Sequence, residues 1–177
     1  MSRVAAIVLA AGEASRFGSP KQRILLPAVL ERLDQKQVDE IVVVSGAYEL
    51  TIPRASESQR IPVRVVECPD WQFGPGASLR CGLAALGDDV EAAVVVLADG
   101  PDLSAQAVER VLGTWRKTGG IAAASYGGGR GHPLVLGRDE WGDIPDDGLR
   151  DRPVHLVPCD DLGSPGDVDT PEDLPGS

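Results

Sequence analysis

The chain has 177 residues, of which 42% are hydrophobic and 25% charged, an ordinary globular composition that excludes a disordered or fibrous protein. Its formal net charge is -10, and no run of Lys or Arg gathers a basic patch, so nucleic acid is excluded as an expected partner. The apolar stretch Val4 to Ala11 falls far short of the ~20 residues that span a bilayer, and no cationic segment precedes it. A cytoplasmic chain with no membrane partner is therefore expected.

The length fits one compact domain over 1–177 that removes about 70% of its unfolded surface from water. Cys68, Cys81 and Cys159 show no CxxC spacing; they predict buried or incidental thiols, with neither a zinc site nor a disulfide framework. In an acidic chain that binds phosphate, cations must be concentrated at the ligand, and Arg16, Lys21, Arg80 and Arg130 are the candidates.

In chain order, β-rich apolar runs fall at Val4 to Ala10, Ile41 to Val44, Val63 to Val66, Ala93 to Ala98 and Ile121 to Ala124. Several are apolar on both faces, as strands covered by helices on each side should be. Helical patterns lie between them at Ala28 to Lys36, Ala77 to Leu86 and Ser104 to Lys117. In the last, Ser104 is a candidate N-cap, and Ala107, Val108, Val111, Leu112 and Trp115 share one face. The alternation predicts an α/β fold with a mostly parallel open sheet, in which ligands bind at the carboxyl ends of strands. The glycine turn from Tyr126 to Pro133 predicts a hairpin or an antiparallel addition to the sheet. His155, in Pro153 to Val157, reads as a strand residue, and the last residues, 174–177, are expected to be poorly ordered.

The segment Leu9 to Lys21, reading LAAGEASRFGSPK, follows the first strand. Its small residues let backbone N–H groups approach phosphate oxygens, and glycine permits the angles that turn them inward. Arg16 and Lys21 would add charge. Neither a P-loop pattern nor a dinucleotide fingerprint is present.

The pattern L-A-A-G-x-x-S-R-x-G-x-P-K resembles the signature of Rossmann-like nucleotidyltransferases, in particular the molybdenum cofactor cytidylyltransferases. Further segments resemble the same family in the same order: Gly76 to Leu83, Ala98 to Pro101, Gly129 to Pro133 and Asp167 to Leu174. The resemblance implies a single-domain, three-layer sandwich with a mostly parallel mixed sheet. It also implies transfer of CMP from CTP to a phosphorylated acceptor such as molybdopterin, with release of pyrophosphate. Product hand-over would involve transient contact with a molybdoenzyme or its chaperone.

By the resemblance, Leu9, Ala10, Ala11, Gly12, Arg16 and Lys21 bind the triphosphate, Arg16 and Lys21 having the catalytic role of neutralising it. Gly76, Ser78 and Gly82 lie beside the base, where Ser78 either caps a helix or hydrogen-bonds the base edge. Arg130, Gly131, His132 and Pro133 match the acceptor segment, although a lone His in a glycine loop is often a surface residue. Asp99 and Asp169 are implied as the pair that holds Mg2+, whose preference for hard carboxylate oxygens suits them. Their plain alternatives are a turn cap before Pro101 and an N-cap of a short helix. Trp71 and Phe73 read as packing anchors that could also border the base or pterin.

One departure from the family pattern follows Lys21. The run Gln22 to Leu33 passes directly into a helical pattern without the family's glycine turn, which bears on the second substrate more than on the nucleotide. Rival readings are a guanylyltransferase, a sugar- or alcohol-phosphate nucleotidyltransferase, a regulator that binds nucleotide without turnover, and a nicotinamide-dependent oxidoreductase.

Overall fold

In the computed structural model, which describes residues 3–10, 29–33, 37–46, 61–98 and 103–162, the first apolar run becomes the strand β1 (Arg3–Ala10), buried along most of its length. It pairs in parallel with β2 (Glu40–Ser45) on one side and with β4 (Val90–Leu97) on the other. β3 (Val63–Glu67) extends the parallel set beyond β2. β5 (Ile121–Tyr126) and β6 (Gly129–Gly137) form the hairpin, and β6 inserts antiparallel between β4 and β5. β7 (His155–Pro158) runs parallel to β5. The resulting seven-stranded order is β3-β2-β1-β4-β6-β5-β7, a mostly parallel mixed sheet in a single α/β domain.

Period-two alternation sorts the side chains of β1 onto two cores. Val4, Ala6, Val8 and Ala10 pack with the helical residues 29–33 and with α2 (Ala105–Thr118). On the opposite face, Ile7 packs with Val42, Val44, Val95 and two residues of α1 (Pro75–Ala84), Leu79 and Leu83. Helices therefore cover both faces, and the sheet is the middle of three layers. Full burial of each such Val, Leu or Ile contributes roughly 1.5–3 kcal/mol, which is why a helix-covered strand has almost no polar side chains. Among the described residues no helix is long and apolar enough to cross a membrane.

Local chemistry sets the helix ends. Ser104 accepts a hydrogen bond from the Ala107 N–H at 3.3 Å, as an N-cap should. At the other end of α2, Gly119 takes a φ of 70°, a left-handed conformation that glycine adopts without a Cβ penalty. α1 begins before the expected Ala77 because Pro75 occupies its first turn, where a preset φ and a missing N–H cost nothing.

The cysteine expectation is corrected. Cys68 and Cys81 form a disulfide, with Cα atoms 5.8 Å apart, whereas Cys159 is a buried free thiol. The pairing arises because α1 folds back over the end of β3. This is a tertiary relation that a separation of 13 residues does not announce.

Candidate functional site

Parallel strands share one carboxyl edge, and the order of these strands reverses direction at β1, with β2 on one side and β4 on the other. Such a switch point opens a crevice outside the strand ends. Leu9 pairs with Leu97, and the Ala98 N–H donates to the Leu9 carbonyl at 3.0 Å. Leu9 is half-buried, while Ala10 and Ala98 are buried. The chain thus leaves β1 and β4 side by side, toward 11–28 and 99–102 respectively. Ala11, Gly12, Arg16, Lys21 and Asp99 lie in those stretches, outside the described residues.

The same edge receives the start of α1, which follows β3 through a short turn, Trp71–Phe73. The first turn of a helix carries unsatisfied N–H groups and the positive end of the helix dipole, a favourable place for negative charge. Ser78 is buried in this helix. Gly76 donates to the Asp146 carbonyl at 2.8 Å, and a Cβ there would lie 1.7 Å from the Pro145 carbonyl oxygen. Gly82 lets α1 settle on the sheet, since its Cβ would stand 2.9 Å from Ile7 Cγ2 and 3.0 Å from Val44 Cγ2. Both glycines therefore have packing reasons in this fold, and Gly82 faces the sheet. Trp71 lies over Gly46, just past β2, whereas Phe73 is 65% exposed.

Arg80 does not stand open to a ligand. Its guanidinium donates to the Ile144 carbonyl and pairs with Asp146, each at 2.5 Å. Together with Gly76, this contact fastens α1 to 144–146.

The acceptor-type segment reaches the edge through the register of β6. Val95 of β4 faces Leu134 in an antiparallel pairing, so residues preceding Leu134 continue toward the carboxyl end of β4. Between the pairs Ala123 with Leu134 and Ser125 with Arg130, β5 has Ala124 alone while β6 has Gly131, His132 and Pro133. The three candidate residues therefore form a β-bulge, a device that re-aims side chains and recurs beside active sites. Pro133 is buried and His132 half-buried, and the peptide between them is cis.

Two side chains hold this bulge in place. The Tyr126 hydroxyl donates to the His132 carbonyl at 2.8 Å. Burial pushes the Tyr126 phenol up to about 12, with the nearby Cys159 adding to the shift. Arg130 donates to the Leu149 carbonyl and, at 3.1 Å, to that of Arg152; burial lowers its pKa from the usual arginine value. Its guanidinium is engaged with the fold, a role that its motif position alone does not reveal. The reason to notice Tyr126 in the sequence is its place immediately before the glycine turn.

β7 ends at the same edge as β5, where the Cys159 N–H donates to the Ser125 carbonyl at 2.9 Å. A short turn, Asp160–Leu162, follows. Arg110 of α2 anchors it with hydrogen bonds to both Asp161 carboxylate oxygens, at 2.8 and 3.1 Å, and to the Pro158 carbonyl at 2.9 Å. The chain then continues into 163–177, so Asp169 lies outside the described residues.

The profile of the MobA-like NTP transferase domain matches residues 6–154. The bifunctional protein GlmU of Bifidobacterium adolescentis is 31% identical over 130 residues, covering 67% of this chain; the chain spans 28% of GlmU. The crystal structure of Rv0371c from Mycobacterium tuberculosis H37Rv is similar at 28% identity and a TM-score of 0.78, covering 97% of this chain and 96% of that one. The same mycobacterial protein, solved in complex with manganese, is similar at 26% identity and a TM-score of 0.74 over the same shares.

Proposed function

Because the chain belongs to the MobA-like NTP transferase family, we propose that it transfers CMP from CTP to a phosphorylated acceptor such as molybdopterin, with release of pyrophosphate. The observation that carries this reading is the side-by-side exit of β1 and β4, joined through Leu9 and Ala98. The first turn of α1 and the 131–133 bulge lie at the same carboxyl edge. CTP is favoured because Ser78 to Leu83 resembles the cytidylyltransferase form of the base segment more than the guanylyltransferase form.

In this reading, residues 9–12 offer backbone N–H groups to the triphosphate. Arg16 and Lys21 neutralise charge on the transferring and leaving phosphates. Gly76 and Ser78 form the base side, Gly82 seating their helix on the sheet, and Gly131, His132 and Pro133 meet the acceptor, with Arg130 bracing their segment. Asp99 and Asp169 fit a hard divalent cation by the chemistry of their oxygens, and the manganese complex of Rv0371c supports a divalent cation in a relative. When bound, Mg2+ or Mn2+ would neutralise triphosphate oxygens.

The chain's residues then hold the acceptor phosphate in line with the α-phosphorus. A bond forms from an acceptor oxygen to that phosphorus, and the bond to pyrophosphate breaks. An ionised phosphate is already nucleophilic, so no Ser, Cys or His base is needed; positioning and electrostatic stabilisation supply the catalysis. A cytoplasmic protein passing its product to a molybdoenzyme or its chaperone fits this chemistry.

Thermal stabilisation by CTP, GTP, ATP and UTP with Mg2+ tests the base. CTP should raise the midpoint most; a larger shift with GTP would replace this reading with guanylyl transfer. Metal-independent NADPH oxidation would support the oxidoreductase reading instead.

A further inference from the structure

The bulge at Gly131 to Pro133 inserts three residues opposite one, which breaks the regular ladder where the acceptor is placed. Where the register is irregular, side-chain contacts help to keep one conformation. Tyr126 supplies such contacts from the partner strand of the hairpin. Its hydroxyl donates to the His132 carbonyl at 2.8 Å, and its ring lies so close to Gly131 that a Cβ there would be 3.0 Å from Cδ2 and Cε2.

Resting on the acceptor reading above, we propose that Tyr126 is a positioning residue, setting the Gly131 to Pro133 bulge in the conformation that receives the phosphorylated acceptor. The phenol serves as a constant donor: a tyrosine is protonated throughout the neutral range, and burial extends that range upward. Gly131 is part of the same device: a Cβ there would stand 3.0 Å from the ring and push it aside by a few tenths of an ångström. The turn that carries Tyr126 into β6, with Gly127 at φ 60° and Gly128 at φ 81°, reverses the chain tightly enough to bring the ring back over the strand.

Tyr126→Phe isolates the hydrogen bond, since it keeps the ring against Gly131 and deletes only the donor. Wild type and variant are compared with Mg2+, CTP and molybdopterin, measuring pyrophosphate release, and in parallel by amide hydrogen exchange. The variant should exchange faster at the Gly131 and His132 amides. Its KM for molybdopterin should rise about fivefold or more, the scale of one hydrogen bond, with the KM for CTP within about twofold of wild type. An unchanged molybdopterin KM, or an equal rise in both constants, would overturn the assignment. Unchanged exchange at those amides would overturn the restraint itself. A wild-type protein that is folded yet releases no pyrophosphate contradicts nucleotidyl transfer, and the acceptor role of Tyr126 falls with it; that failure is visible without the variant.

Discussion

The Ala98 N–H donates to the Leu9 carbonyl at 3.0 Å, so the residue just past β4 is tied to the end of the parallel strand β1 where the chain leaves both. Asp99 is the next residue after Ala98 in sequence, and the glycine-rich segment begins just after Leu9. A carboxylate at the end of a buried strand is costly without a partner. This pairing of exits gives the nucleotide reading its physical basis.

Asp99→Ala should lower pyrophosphate release by at least ~10²-fold, the scale of losing a principal electrostatic contact, while the circular dichroism spectrum and unfolding midpoint stay near wild type. Removal of divalent cations with EDTA should abolish release from the wild type, and Mg2+ or Mn2+ should restore it. Full activity in Asp99→Ala would sink the metal assignment.

Gly76 and Gly113 should respond oppositely to alanine. A Cβ on Gly76 meets the backbone of Pro145 at 1.7 Å, whereas around Gly113 nothing lies within 4 Å. Gly76→Ala should destabilise by about 2 kcal/mol or more through forced displacement of α1 and weaken stabilisation by CTP. Gly113→Ala, inside α2, should stabilise by about 0.5–1 kcal/mol. Urea unfolding of the two variants gives both signs.

The Cys68–Cys81 disulfide closes a loop of separation 13, for which the chain-entropy argument gives about 3 kcal/mol. The double variant Cys68→Ala with Cys81→Ala should therefore lose about that much stability relative to oxidised wild type. The two proteins should converge once dithiothreitol reduces the wild type. A difference that persists under reduction would assign the effect to packing.

Arg110 holds the Asp161 carboxyl below the usual carboxylate range, chiefly through the hydrogen bond between them. A depressed carboxylate pKa contributes stability above the unfolded-state value, and that contribution fades as pH falls through the folded-state value. Because the pair is exposed, the effect is small and screened by salt. Arg110→Met should flatten the acid limb of the stability curve below about pH 4 and leave stability near neutral pH almost unchanged. Thermal midpoints across pH at low and high salt measure it.

Strands β1, β2 and β4 are legible because apolar runs rich in valine and buried on both faces have few other solutions; β3, half-exposed, and β5, rich in alanine, are legible as shorter apolar runs. α2 is legible because Ser104 and an apolar stripe mark its start and its face. β6 is harder to read: its first half, Gly129 to Gly131, lacks apolar periodicity, and its bulge exists only relative to β5. The roles of Arg80 and Arg130 as fastenings to backbone carbonyls depend on the path of 144–152, which no local pattern encodes. The disulfide likewise depends on how α1 folds back over β3. Of the site residues read from the motif, Leu9, Ala10, Gly76, Ser78, Gly82 and Arg130 to Pro133 lie in the described elements, whereas Ala11, Gly12, Arg16, Lys21, Asp99 and Asp169 lie outside them.

The most direct test is pyrophosphate release from CTP, GTP, ATP and UTP, each with Mg2+ and molybdopterin, by the intact protein. The account predicts acceptor-dependent release with CTP well above the other nucleotides. Absence of release with every nucleotide, from protein shown to be folded, would contradict it.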